Sequence, residues 1–185
     1  MFGEIIESSI PECLVRIAVV ALMISFVAGC AAPVFNVPLD TPGVGAQSGV
    51  TVKDGRMDKR VYMTGISWGS ASNIYLLTPE PALEVALERH ISSGWTKTSV
   101  PKAEVIIEEL DLKNLVGFAK ADELSCRIES SLSLFDAEQK HHHRRIRTFT
   151  KNNQNMSPLV VTAAKTVLSQ CLRQHAMDLV GSITD

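Results

Sequence analysis

The stretch from Leu14 to Cys30, LVRIAVVALMISFVAGC, constrains this chain more than any other. One Arg leads an apolar run from Ile17 to Ala28, broken only by Ser25, and the run closes on small residues followed by Cys30. A basic start, roughly 7–15 apolar residues and a small-residue end describe an export signal, whereas a helix that spans a bilayer needs about 20. Residues 1–29 are therefore expected to be removed, leaving residues 30–185 to build the fold. Glu4, Glu7 and Glu12 precede the run, where an export signal carries bases instead. Translation is accordingly expected to start near Leu14 or Val15, so that Arg16 leads the apolar run.

The small side chains at 28 and 29 suit a peptidase pocket, and Cys30 offers a thiol for a diacylglycerol group. Val27-Ala28-Gly29-Cys30 resembles the lipobox of bacterial lipoproteins, whose mature chain begins at the acylated Cys. The resemblance implies attachment to a membrane through Cys30. Of the other cysteines, Cys13 lies in the leader and Cys126 and Cys171 remain. In an oxidising periplasm these two could pair, or they could pack as small apolar residues. A disulfide needs Cα atoms about 4.4–6.8 Å apart, which a helix lying on a sheet seldom supplies.

Hydrophobic residues make up 45% of the chain and charged ones 21%, the proportions of ordinary globular material. Once the leader is removed, acids and bases balance, so no basic field speaks for nucleic acid. The mature length is that of one domain.

From Ala31 to Gly49 the chain is rich in Pro and Gly with a single charge, Asp40. It reads as a flexible tether over 30–49 that reaches about 60 Å when extended. A single domain over 50–185 follows. Val50–Lys53, Arg60–Thr64 and Asn73–Leu77 are strand candidates. Thr78 with Pro79 has the form of a helix cap followed by its first residue, Leu83, Ala86, Leu87 and Ile91 form an apolar stripe, and Gly94 closes the helix. Strand candidates then run over Trp95–Thr98 and Ala103–Leu112. Leu124, Cys126, Ile128, Leu132 and Leu134 alternate with polar residues, the clearest period-two signal in the chain. His142–Thr150 can fold back on that strand, and pairing Ile128 with Ile146 sets Glu129 opposite Arg145. Ser157-Pro158 opens a last helix to about Val180, with a stripe through Val160, Val161, Ala164, Val167, Leu168, Cys171 and Leu179. The expected fold class is α+β, a mainly antiparallel sheet with two amphipathic helices packed on one face.

Three motifs invite chemistry. Gly65-Ile66-Ser67-Trp68-Gly69 matches the G-x-S-x-G nucleophile elbow, which works because a tight strand-to-helix turn strains the Ser outward. Here the residues that follow read as a loop and another strand, so a hairpin is the simpler account. His141-His142-His143-Arg144-Arg145 suggests a metal site, but on a strand only His141 and His143 share a side. His90 and His175, on helices, have no spacing that recruits them. No metal or other cofactor is expected. Asp54, Arg56 and Asp58 around a turn are explained by charge pairing.

The lipobox, the Pro-rich segment, VTVKDGRMDKR, LTPEPALEVALERHISSGW, PKAEVIIEELDL and the TVLSQCL helix occur in an order that resembles the YajG-like family of outer-membrane lipoproteins. The resemblance covers residues 30 to about 180 and implies a small periplasmic domain with no catalytic residues to carry over. It also implies transfer to the outer membrane, because residue two of the mature chain is Ala31 and not the Asp that retains lipoproteins of this type at the inner membrane. The resulting expectation is a non-enzymatic binding or scaffolding module for an envelope protein, anchored through Cys30. The alternatives are a serine esterase using Ser67, or a ring-forming auxiliary subunit of an envelope transport system, and the oligomeric state is open.

Overall fold

The alternation in β6 (Glu123–Phe135) organises the sheet. A computed structural model describes residues 33–43, 49–67, 73–94, 102–116, 123–135, 141–152 and 160–184. Leu124, Cys126, Ile128, Leu132 and Leu134 are buried on one face of β6. β5 (Lys102–Val116) and β7 (His141–Asn152) pair antiparallel on either side of it. On β5 the register slips between Ile107 and Glu109. This bulge lets Ala103, Val105 and Ile107 on one side of it, and Leu112 on the other, all enter the same core.

β5 is also where the sheet stops being antiparallel. β2 (Val50–Asp54) lies parallel to its first half and β3 (Val61–Ser67) parallel to its second. β4 (Asn73–Glu80) pairs antiparallel with β3, and β1 (Val34–Pro38) lies parallel to β4. The seven strands run β1-β4-β3-β5-β6-β7, with β2 beside β5. The expected mainly antiparallel α+β arrangement is thus corrected to a mixed sheet carrying two helices. Among the described residues, three of the six strand pairings are parallel. Parallel pairing needs a long return path, and the chain supplies it: β3, β4 and a helix intervene between β2 and β5.

Two further expectations change. The segment read as a tether contains β1, in which Val37 is fully buried while Val34 stays exposed. The Thr78-Pro79 pair caps no helix; both residues belong to β4 and pair with Asn36 and Val37. β3 pairs with β4 only up to Leu77, so beyond that point one edge of β4 is free of β3, where a residue lacking N–H is tolerated. Helix α1 then runs Leu83–Gly94, burying Leu83, Ala86, Leu87, His90 and Ile91. Helix α2 runs Val160–Thr184 and buries Ala164, Val167, Leu168, Cys171, Leu172 and Leu179. The helices pack on each other, α1 against β2 and α2 against β6, β7 and β1. Trp95–Thr98 and Ser157-Pro158 lie outside the described residues.

Between β2 and β3 the chain makes a tight, charge-lined turn. Gly55 donates its N–H to the Ile107 carbonyl at 2.9 Å. A Cβ at Gly55 would collide with Ile106 Cγ2, so the close approach of turn to β5 requires Gly. Arg56 folds back over the turn and forks onto Asp54, Nε to Oδ1 at 2.9 Å and Nη2 to Oδ2 at 2.7 Å. It also donates to the Lys59 and Arg60 carbonyls, so all three nitrogens of a nearly buried guanidinium are engaged. Burial alone would raise the Asp54 pKa, but the hydrogen bonds and charge of Arg56 outweigh it and hold the carboxyl below its ordinary range.

Candidate functional site

Cys126 on β6 and Cys171 on α2 form a disulfide with a Cα–Cα distance of 6.1 Å. Both residues are fully buried. The helix therefore approaches the sheet closely enough to bond here, and the small, fully buried Ala164 two turns earlier lies on the same α2 face as Cys171.

One helical turn beyond Cys171, His175 enters the same interface with no exposure. Its Nε2 lies 2.9 Å from Ser130 Oγ and its Nδ1 2.7 Å from Thr148 Oγ1. Thr148 spends its single hydroxyl proton on Asp178 Oδ2, so its oxygen can only accept from His175. Nδ1 must then carry the ring proton and donate to Thr148, leaving Nε2 to accept from the Ser130 hydroxyl. The chain of donors runs Ser130 to His175 to Thr148 to Asp178. Burial pushes the His175 pKa down to about 4 against a smaller opposing pull from Asp178, which keeps the ring neutral. The order has the form of a Ser–His–acid relay, but Ser130 and His175 both have 0% exposure. Its chemistry in this closed interior is to satisfy polar groups between sheet and helix.

Spacing along the chain gives His175 no place in a metal site and does not show this network. Two signals mark it. Ser130 is the polar interruption in the apolar row of β6, and His175 stands four residues from Cys171 and from Leu179, on the buried stripe of α2.

An accessible concavity lies elsewhere, where residues 39–42 run beside the C-terminal end of α1 and the middle of α2. It is a cleft of about 840 Å³ lined by Leu39, Pro42, His90, Arg173, Met177 and Val180 among others. Leu39 leaves β1 with its N–H on the Glu80 carbonyl, and the Asp40 N–H bonds Ser169 Oγ at 3.1 Å. His90 Nε2 donates to the Asp40 carbonyl at 3.0 Å, and Arg89 donates to Thr41 Oγ1 at 3.2 Å. Lys165 forms an ion pair with Asp40 at 2.8 Å. Burial, offset in part by the Asp40 carbonyl, lowers the His90 pKa, and Arg173 adds to the lowering. The wall mixes apolar side chains with polar ones and carries one cation, Arg173, and one anion, Asp40.

The sheet face turned away from the helices is polar. Glu129 stands at its centre, 5% exposed. It meets Arg147 at 2.7 Å, Arg127 at 3.2 Å and Arg145 at 3.2 Å. The hydrogen bond from Arg147 does most to hold the Glu129 carboxyl below its ordinary pKa. The register pairs Glu129 directly with Arg147, two residues from the expected partner Arg145, and Ile146 faces Ser130 instead of Ile128. The slip of two keeps each side chain on its expected face.

The other sequence candidates fall apart from one another. Ser67 is the last residue of β3 and pairs in register with Val116; the next element of the chain is strand β4 and not the helix an elbow requires. His142 and His143 are exposed on β7, and His143 Nδ1 lies 3.4 Å from Ser133 Oγ. No metal-holding group of three ligands is present among the described residues. Cys30 lies outside the described residues. Among those residues no helix is long and apolar enough to cross a membrane.

Solved structures with a related chain trace include a Xanthomonas campestris protein of the DUF330 family, 13% identical with a TM-score of 0.47, covering 80% of this chain and 92% of that one. A minor lipoprotein from Acinetobacter baumannii is 8% identical with a TM-score of 0.37, covering 72% of this chain and 89% of that one. No protein-family model and no curated protein matches the chain.

Proposed function

We propose that this protein is a bacterial lipoprotein, held at the outer membrane through acylated Cys30 and facing the periplasm, where it binds an envelope protein without catalysing a reaction. The order of Arg16, an apolar run and Val27-Ala28-Gly29-Cys30 carries this reading. The Cys126–Cys171 disulfide supports it, because such bonds persist in oxidising compartments outside the cytoplasm. The likeness to the YajG-like family adds the outer membrane as the place and Ala31 as the sorting residue. For a partner, the chain offers two surfaces: the cleft bordered by residues 39–42, and the sheet edges. β1 and β7 each pair on one side only among the described residues, and an edge can accept a strand.

Crosslinking of the intact protein in cells, followed by identification of what it captures, tests the binding role. One recurrent envelope protein, lost when the cleft is altered by Met177→Asp or the β7 edge by Ile146→Pro, is the expected result. Recovery of no partner, together with Ser67-dependent labelling by a fluorophosphonate probe, would replace binding by hydrolysis.

A further inference from the structure

Large apolar side chains are exposed at Val34, Met57, Ile74, Val85, Phe149 and Met177. Met177 belongs to the cleft, and Met57, Val85 and Phe149 lie on separate parts of the chain, as surface apolar residues commonly do. Val34 and Ile74 stand together. Val34 pairs with Leu76 across the parallel β1–β4 ladder, so Ile74, two residues earlier on β4, sits diagonally beside it on the same face. Val34 is 59% and Ile74 49% exposed, with the half-buried Leu76 between them. The corner they form is fixed to the point where the chain enters the sheet: the Leu76 N–H bonds the Pro33 carbonyl at 3.0 Å.

That entry point is four residues from Cys30. Four residues span at most about 14 Å when fully extended. The headgroup layer on one side of a bilayer is roughly 5–8 Å deep. A lipidated Cys30 at that layer therefore holds the first residue of β1 in or directly above the headgroups, where a tether of about 60 Å would have let the domain float clear.

We infer that the Val34–Ile74 corner docks into the phospholipid interface, so that the domain lies against its membrane in a fixed orientation. The inference rests on the reading of Cys30 as the lipidated residue. Apolar side chains flanking the diacylglycerol anchor add buried area to that already supplied by the lipid and fix an orientation that the anchor alone leaves free. The occupant is a phospholipid surface and not a protein partner, because the short span leaves no depth for a folded protein between anchor and corner.

The test uses the intact protein carrying Ile74→Cys, labelled with an environment-sensitive fluorophore. Its thiol is the sole free one of the mature chain when Cys30 is acylated and Cys126 and Cys171 are bonded. The protein is placed in vesicles of phosphatidylethanolamine and phosphatidylglycerol with brominated acyl chains, beside a Val34→Cys label at the corner and a Val85→Cys label on α1. Quenching about threefold or more greater at 74 and 34 than at 85 is expected for side chains at the acyl boundary. Equal quenching at all three sites, on protein shown by mass to be acylated and by flotation to be vesicle-bound, overturns the docking and leaves the anchor intact. A chain without acyl mass on Cys30 overturns both.

Discussion

Reduction of the Cys126–Cys171 bond gives the sharpest test of the packing described above. The bond closes a loop of sequence separation 45 between β6 and α2. Constraining the unfolded chain by a loop of that length is worth about 4 kcal/mol in the chain-entropy account. Both sulfurs lie in a fully buried interface, and the chain-entropy account places the effect of reduction on the unfolded ensemble. For a domain of this size, with a urea slope of about 2 kcal/mol/M, the unfolding midpoint should fall by roughly 2 M on adding reductant. The double variant Cys126→Ala, Cys171→Ala should unfold near the reduced midpoint and be insensitive to reductant. An oxidised and a reduced protein with coincident urea transitions would refute the reasoning, as would two free thiols counted in the purified native protein.

Three further outcomes follow from single side chains. Arg56→Ala strips a nearly buried carboxylate of its fork and should cost on the order of 3–5 kcal/mol; Arg56→Lys should recover only part, since an ammonium cannot reproduce the two-point contact with Asp54. Thermal unfolding of the three proteins side by side checks this. His175, ordinary near 6.5 when unfolded and pushed down to about 4 when folded, takes up its proton first in the unfolded chain as pH falls. Its contribution is therefore whole above about pH 6.5 and lost toward pH 4, on the order of 3 kcal/mol in all. Urea midpoints measured from pH 7 to 4.5 should drop less steeply for His175→Gln than for the native protein, and parallel slopes would show that His175 is not the group responsible. Glu129→Gln should lower the melting temperature, by less in high salt, because three arginines then face one another across β6 and β7 without their shared carboxylate. A melting temperature unchanged at low salt would remove Glu129 from the centre of that face.

What could be read from the sequence followed the strength of each local pattern. β6 was legible because five apolar residues at alternate positions, interrupted only at Ser130, leave no other period available, and its face assignments hold although its register with β7 moved by two. α1 and α2 were legible through their apolar stripes, but the start of α1 was not. Thr78-Pro79 looks like a cap from composition, while its neighbours Asn36 and Val37 come from a strand more than forty residues earlier. β1 itself was hidden for the converse reason: its five residues follow Pro33 and end on Pro38, so the tether-like composition masked the buried Val37. Direction of pairing was the largest loss. Nothing in Val50–Asp54 or Val61–Ser67 distinguishes a parallel neighbour from an antiparallel one, since the choice is made by how α1 and β4 return the chain to β5. The Ser130–His175 contact was within reach, because each residue breaks an apolar series that the other completes across the interface.

Cys30 decides where this domain works, and the direct measurement is the intact mass and N-terminal residue of the protein extracted from membranes of its own host. A chain that begins at Cys30, carries a diacylglyceryl modification, and shifts to an unprocessed form without acyl mass in Cys30→Ala is the predicted result. A membrane-free mature protein whose first residue lies elsewhere and whose Cys30 is unmodified would contradict the anchor, and with it the placement of this domain at a membrane surface.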